Sequence, residues 1–233
     1  MSKRKIVKLL LALIFIVIGL LLFIYPRVTD SLYKNKVNKL VSVFDIKINE
    51  IKKDEDNSKL NELYDLLKSE NEKVYQTGER RFLNEKSSDK TDIKLSDYGL
   101  NDNIFGFIEI PSINITLPIY FGSSEENMRL GATHLTGTSY PIGGVNTNSV
   151  IAAHRGFYKT EMFRHIDKIQ LGDSLIITNP FDKLTYVAYK IDIIKPNELD
   201  KLTIVSGEDM VTIISCHPFP HNYERYVVYF KRA

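Results

Sequence analysis

The N-terminal segment from Ile6 to Tyr25 limits what this chain can be, because it is a 20-residue apolar run interrupted only by Lys8. A run of that length can cross a bilayer as an α-helix, and a lysine near its end can extend its ammonium group to the interface. A secretory signal peptide has a similar start but ends in small residues at its cleavage site. This run ends in Leu-Leu-Leu-Phe-Ile-Tyr-Pro, so we predict a retained transmembrane anchor at residues 6–25.

Basic residues on both sides of the anchor bear on its orientation. Lys3, Arg4 and Lys5 precede it, and the positive-inside rule keeps such residues in the cytoplasm. The other flank also carries basic residues, which weaken the asymmetry: Arg27, Lys34 and Lys36. We expect residues 1–5 to form a cytoplasmic tail, and the rest of this single-pass protein of the cell membrane to be extracellular.

Composition excludes two broad classes of protein. The chain is 43% hydrophobic and 26% charged, which is enough apolar material for a folded core and argues against disorder throughout. The formal net charge is only +2, and no basic stripe with interleaved aromatic residues runs along the chain. A nucleic-acid partner is therefore not expected.

Residues 26–103 are predicted to form helices followed by a linker. Apolar residues recur there at spacings of three and four, which is typical of amphipathic helices: Leu32, Val37, Leu40, Val41, Phe44, Leu60, Leu63, Leu66 and Leu67. The charged run IKKDEDNSKL separates two such stretches. From Thr77 to Asn103 polar residues dominate, which predicts an extracellular linker.

Residues 104–233 change to short β-type runs separated by turn residues: IFGFIEIP, INITLPIYF, SVIAAHR, DSLIITN, LTYVAYKIDIIKP, MVTIISC and YVVYFKR. Such regular strand spacing favours an antiparallel sandwich or a closed barrel. Short helices are predicted at SSEENMRLG, with Ser124 as its cap, and at KTEMFRHIDKI. The chain is thus mainly β after its N-terminal helices.

Cys216 is the only cysteine, so it has no partner for an intrachain disulfide outside the cell. A small buried hydrophobic residue is the ordinary role of such a thiol. A metal site is disfavoured although His217 and His221 are close, because structural zinc takes paired ligands and no second pair is visible. A nucleophile is the remaining reading, and it requires partners.

His154 and Arg225 are suitable partners for Cys216. His154 follows the apolar run SVIAA, Cys216 ends MVTIIS, and Arg225 opens YVVYF, so all three lie at strand ends that a sheet can bring together. Each has an ordinary alternative as a strand-end or surface residue. The other histidines are weaker candidates for the partner of Cys216. His217 and His221 flank it, but an adjacent side chain on a strand points to the opposite face. His134 and His165 do not lie in the predicted strand runs.

The order His154, Cys216, Arg225 within SVIAAHRGF, VTIISCHPF and NYERYVVYFKR resembles the sortases of Gram-positive bacteria. FGFIEIPSINITLPIY, HLTGTSYPIGG and HRGFYKTEMFRHIDKIQLGD are most similar to the pilus-type, or class C, branch. The resemblance covers roughly residues 104–232, and the N-terminal anchor fits it. It implies an eight-stranded sortase β-barrel as the catalytic domain at residues 104–233.

The resemblance also implies an activity. Sortases are cysteine transpeptidases that cleave LPXTG-like sorting signals through a thioacyl intermediate and pass the protein to an amine. Cys216 would be the nucleophile, His154 the general acid and base, and Arg225 the group that stabilises the oxyanion and positions substrate. The acceptor would be a pilin lysine in pilus-type members or a cell-wall precursor in housekeeping members. No cofactor or metal is implied.

Two departures from the pilus-type pattern concern the acceptor. Such members carry an Asp-Pro-aromatic lid before the barrel, whereas the nearest candidate here is Asp97-Tyr98 in LSDYG, which we expect either to lie over the site or to be a plain solvated linker. Many also have a C-terminal membrane helix, and this chain stops at Phe230-Lys-Arg-Ala. The alternatives are a wall-anchoring sortase, a cysteine peptidase that uses water, and a β-barrel that only binds partners.

Overall fold

Two long helices form the N-terminal part of the chain. In the computed structural model, which describes residues 3–53, 58–78, 93–100, 103–156 and 160–233, helix α1 spans Lys3–Lys53 and helix α2 spans Ser58–Thr77. The predicted amphipathic helices are confirmed, and most of the predicted linker lies outside the described residues. A 51-residue helix is about 77 Å long at 1.5 Å per residue.

Helix α1 changes character along its length. Its apolar N-terminal stretch is exposed on all sides, and it is long and apolar enough to cross a membrane. Further along, the apolar residues narrow to one stripe, and Val37 and Ile48 are buried against the rest of the protein. One continuous helix therefore contains both the predicted anchor and a segment that packs on the globular domain.

Eight strands close into a barrel in the order β1-β2-β3-β4-β7-β8-β6-β5. The pairs β2–β3 and β4–β7 are parallel and the other six are antiparallel. This confirms the closed barrel over the sandwich. The strands are β1 Ile104–Ile110, β2 Ile115–Phe121, β3 Ala132–His134, β4 Thr147–Ala152, β5 Ser174–Thr178, β6 Lys183–Ile194, β7 Asp209–His217 and β8 Glu224–Arg232.

The short elements match the sequence only in part. Helix α3 covers Glu125–Leu130, and the Ser124 hydroxyl oxygen accepts a hydrogen bond from the Asn127 amide at 3.2 Å, as predicted for its cap. The helix expected at KTEMFRHIDKI is wrong, since residues 160–169 of that segment contain no α-helix and only a 3-10 turn at Ile166–Lys168. Met162 has φ 40°, which interrupts a right-handed helix. Strand β3 was not among the predicted strands, because three residues are too few to show a strand pattern.

Two apolar layers stabilise the sheet of the barrel. Alternate residues of the strands fill the interior, where Ile151, Ile213 and Val228 are fully buried. Residues of opposite parity on β4, β7 and β8 form an outer layer, which includes Ile214 and Val227 and is covered by Leu199 and Leu202 of the β6–β7 connection. The strands therefore present two different faces, one to the interior and one to this covered outer surface.

The two ends of the barrel differ. We name the end where β4 and β7 finish and β8 begins the upper end, and the end where β4 and β7 begin the lower end. The lower-end cluster packs α2 against the barrel and contains Leu60, Leu63, Leu67, Phe105, Phe121, Ile142 and Phe181. Asn71 of α2 adds hydrogen bonds to the backbone of Tyr140, accepting from its N–H at 2.6 Å and donating to its carbonyl at 3.2 Å.

Candidate active site

Cys216 and Arg225 lie directly opposite each other at the upper end of the antiparallel pair β7–β8. Side chains at opposed positions of such a pair share one face of the sheet, with Cβ atoms about 4.5–5.5 Å apart. The thiol and the guanidinium therefore border the same space. This juxtaposition follows from the register of the two strands. The β7–β8 connection lies between the two residues, so β7 ends and β8 begins at this point.

His154 reaches the same end from β4. That strand runs parallel to β7 with Ala152 opposite Ile214, and the Ala153 amide donates to the Ile214 carbonyl at 3.3 Å. His154 and Cys216 each lie two residues beyond that pair, so extension of the register places them side by side. The His154 carbonyl also accepts a hydrogen bond from the Phe163 amide at 3.0 Å, which holds the turn after β4.

The three side chains lie on the outer face of the sheet. On β7, Ser215 faces inward, where it is 3% exposed and its hydroxyl donates to the Ala153 carbonyl at 2.8 Å. Cys216 has the opposite parity and continues the outer layer beyond Ile214. Because His154 and Arg225 have the matching parity on β4 and β8, the candidate site extends that outer layer at its upper end.

The guanidinium of Arg225 is oriented by its own loop. Its Nη1 donates to the carbonyls of Asn222 at 3.0 Å and Glu224 at 2.8 Å. A guanidinium has five N–H donors, so three remain on Nε and Nη2 beside the thiol. Arg225 is partly buried, as are Cys216 and His154, which leaves all three accessible to a bound ligand.

The charge state of His154 depends on burial and on helix α3. Burial lowers the pKa of His154 below its ordinary value, the positive charge of Arg129 lowers it further, and Glu125 opposes the decrease. Arg129 and Glu125 form an ion pair on α3. Burial and Arg129 therefore favour the neutral imidazole over the imidazolium.

Arg155 is a site neighbour that the sequence analysis missed. Its side chain is only 6% exposed, and its Nη2 lies 3.0 Å from a carboxylate oxygen of Asp167. Its Nη1 donates to the Nδ1 atom of His217 at 2.9 Å and lies 3.4 Å from the Cys216 carbonyl. The Arg155 guanidinium thus contacts the backbone of Cys216 and the side chain of His217. The only signal in the sequence was its position next to His154.

The contacts of His217 and His134 give both residues structural roles. Because arginine is always a donor, Nδ1 of His217 accepts from Arg155 and is not free to bind a metal. His134 is buried on β3 between Phe121 and Tyr140, and its Nε2 lies 3.1 Å from the Ser139 carbonyl. Burial lowers the pKa of His134 to about 4, so it is a neutral core residue.

Asp97 and Tyr98 are not brought to the site, which corrects the expectation that they lie over it. They belong to a 3-10 turn at Leu95–Tyr98, and Tyr98 packs against the lower-end cluster. Leu95 and Leu100 are 2% and 3% exposed in that cluster. Burial of these two leucines holds the segment at the end of the barrel opposite Cys216.

Comparison with known proteins agrees with the geometry. The sortase domain family model matches residues 108–233. Sortase D of Bacillus subtilis (strain 168) is 28% identical over 131 residues, which are 55% of this chain and 63% of that relative. The chain thus spans less than two thirds of that relative's length.

Solved structures give wider coverage. Sortase C1 of GBS pilus island 1 aligns with a TM-score of 0.71 and 30% identity over 83% of this chain and 90% of that one. Sortase C-1 from Streptococcus pneumoniae aligns with a TM-score of 0.72 and 30% identity over 84% of this chain and 98% of that one. The alignment with both extends beyond the barrel into the N-terminal helices.

Proposed function

The chain belongs to the sortase family, and from that premise we propose that it is a membrane-anchored cysteine transpeptidase that acts on proteins with an LPXTG-like sorting signal. The observation that carries the proposal is the placement of Cys216 opposite Arg225, with His154 in register on the neighbouring strand. A binding module would not require a thiol, an imidazole and a guanidinium on one face at one strand end.

In the proposed first step the thiol of Cys216 transfers its proton to the imidazole of His154, and the resulting thiolate attacks the carbonyl carbon of the signal's threonine. The carbonyl oxygen becomes an oxyanion, and the free N–H donors of Arg225 stabilise it. The C–N bond then breaks as His154 donates a proton to the leaving amine, which releases the C-terminal segment and leaves a thioester on Cys216.

In the second step an amine attacks the thioester carbon. His154, now neutral, accepts a proton from that amine. The C–S bond breaks to release the Cys216 thiolate, which takes this proton back from His154 and becomes the thiol again. An amide or isopeptide bond is formed without net oxidation or reduction. Burial and the charge of Arg129 lower the pKa of His154, which disfavours the imidazolium that the first step requires.

We propose a pilin lysine as the acceptor amine. The supporting observation is that the aligned solved structures include a sortase C1 of a pilus island, over most of both chains. Attachment to a cell-wall precursor is the second candidate.

The proposed topology follows the sequence. Residues 1–5 lie in the cytoplasm, residues 6–25 cross the membrane within α1, residues 26–103 link anchor and barrel, and residues 104–233 form the extracellular catalytic domain. The exposed apolar stretch of α1 supports the crossing. The basic residues Lys3, Arg4 and Lys5 support the orientation.

Mass spectrometry tests this function. The full chain is incubated with sorting-signal peptides, and we expect a mass increase on Cys216 equal to the peptide cleaved after its threonine. Cys216→Ala should show no adduct, while circular dichroism reports an unchanged fold. A lysine peptide from a pilin and a glycine amine typical of wall precursors are then added separately. Hydrolysis products alone, unaffected by either amine, would replace transpeptidation by a peptidase that uses water.

A further inference from the structure

Helix α1 meets the upper end of the barrel directly after its apolar stretch. The Tyr33 hydroxyl donates to the carbonyl of Leu130, the last residue of α3, at 2.9 Å. Nearer the anchor, a cavity of about 360 Å³ has Arg27 and Asp30 of α1 on one wall and Arg164 and His165 on the other. Arg164 and His165 therefore face the first turns of α1 beyond the anchor.

Helix geometry converts this contact into a depth. Asp30 lies five residues beyond Tyr25, which is about 7.5 Å along the axis at 1.5 Å per residue. The polar headgroup layer is roughly 5–8 Å thick on each side of the hydrocarbon core. Tilt of the helix brings Asp30 closer to the core. Arg164 and His165, which face these residues across the cavity, therefore lie at the depth of the headgroups.

Exposed aromatic side chains continue this surface onto the β7–β8 connection. The Arg164 guanidinium lies 5.4 Å from the ring centroid of Phe219. Phe219 is 52% exposed and Tyr223, in the same connection, is 63% exposed. Singly exposed aromatic side chains are common on protein surfaces. At the depth of the headgroups, however, aromatic rings beside an arginine suit the boundary between headgroups and acyl chains.

We propose that Arg164, Phe219 and Tyr223 form a membrane-facing patch that rests on the headgroup layer of the bilayer spanned by α1. The occupant is a lipid surface because the patch is continuous with the part of α1 that leaves the membrane. Asp30 and Glu161 offset Arg27 and Arg164 in the adjoining cavity. Contact by the aromatic rings therefore requires no excess of anionic lipid.

The patch goes beyond the proposed function and rests only on the membrane crossing by α1. It is connected to the site, since Nε of Arg155 lies 3.4 Å from the carbonyl of Arg164 and Nη1 of Arg155 lies 3.4 Å from the carbonyl of Cys216. A bilayer under this patch places the reactive thiol beside the membrane surface, where it meets a substrate segment that emerges from the lipid.

The absence of tryptophan from the sequence makes a direct test possible. Phe219→Trp is prepared in the full chain and reconstituted in phosphatidylcholine nanodiscs that contain a lipid with a quencher near its carbonyl groups. The matched control is Val145→Trp, because Val145 is 67% exposed at the lower end of the barrel. Val145 precedes β4 and His154 follows it, and the six-residue strand between them spans about 20 Å at 3.3 Å per residue.

We expect quenching of Phe219→Trp to exceed that of Val145→Trp by about twofold or more, since only the patch lies at headgroup depth. Equal quenching of the two variants would overturn the proposal. The proposal would also be overturned if the fluorescence of Phe219→Trp did not change with the lipid quencher but changed with a sorting-signal peptide, because the ring would then face substrate. Tyr223→Trp is the second reporter if Phe219→Trp does not fold.

Two further measurements separate this proposal from its premises. Failure of the chain to copurify with nanodiscs would remove the membrane crossing and the patch with it. Thioester formation on Cys216, measured in the same nanodiscs, reports the proposed function independently of where the patch lies.

Discussion

The charges on helix α3 provide a signed test of the role of His154. Arg129 lowers the pKa of His154 and Glu125 raises it. Arg129→Gln should therefore raise the pKa of His154, and Glu125→Gln should lower it. If His154 must be protonated to release the leaving amine, the alkaline limb of the pH profile of kcat/KM moves in the same direction as the pKa of His154.

The expected shift is small but measurable. The Arg129 and Glu125 side chains are 56% and 78% exposed, so water screens their fields. Even at 4 Å, a unit charge in water contributes only about 1 kcal/mol. The two pKa shifts of His154 are therefore small and opposite in sign. The exposed ion pair itself contributes only about 0.3–0.5 kcal/mol to stability, so both variants should fold.

The shift can be measured in two ways. NMR titration of the imidazole carbons gives the pKa of His154 directly, with His154→Gln identifying its resonance among five histidines. The rate of thioester formation across pH gives the alkaline limb. The double variant Glu125→Gln, Arg129→Gln should return both quantities close to their original values, because the two effects oppose each other. At 1 M salt the single-variant shifts should shrink, since the Debye length falls to about 3 Å.

Equal shifts of one sign in the two single variants would refute this reasoning. If the NMR pKa of His154 moved as expected while the alkaline limb stayed fixed, the limb would belong to another group. His154 would then not be the general acid of the first step.

Three further variants probe the site and its supports. Arg225→Gln should lower kcat for thioester formation by about 10²–10³ through loss of an oxyanion donor, and a loss under about threefold would contradict that role. Asp167→Asn should lower the free energy of unfolding in urea by about 1–3 kcal/mol, because the Arg155 guanidinium is 6% exposed and loses its anionic partner. Asn71→Ala should lower the free energy of unfolding by about 1–2 kcal/mol through loss of two hydrogen bonds to Tyr140. The control is Asn61→Ala, because Asn61 is exposed on the same helix.

Short apolar runs separated by turn residues made much of the barrel and its site predictable. His154 follows SVIAA and Cys216 ends MVTIIS, and strand ends are where side chains from different strands meet. The closed barrel also follows from many short strands, although a sandwich has the same local pattern. The strand order, with β4 beside β7, depends on contacts distant in sequence and could not be predicted from local pattern.

Asp97 and Tyr98 show how a local motif can mislead. An acid next to an aromatic ring between the helices and the barrel matched the expected position of a cover over the site. Leu95 and Leu100 flank the pair, and both are almost fully buried in the lower-end cluster. Burying each leucine contributes roughly 1.5–3 kcal/mol, which outweighs the interactions available to a solvated acid and ring. The apolar flanks, and not the motif, decide where the segment lies.

Helix α1 raises the same question at a larger scale. The sequence predicted the change from an apolar stretch to a single apolar stripe, and in the proposed topology this change marks where α1 leaves the membrane. The sequence did not predict which end of the barrel this part of α1 packs against, because the contact that shows it joins Tyr33 and Leu130, which are 97 residues apart. That contact determines whether the thiol stands at the membrane surface or a barrel length above it. The Tyr33–Leu130 contact beside the upper end favours the surface, so the packing of an anchor helix decides where the chemistry takes place.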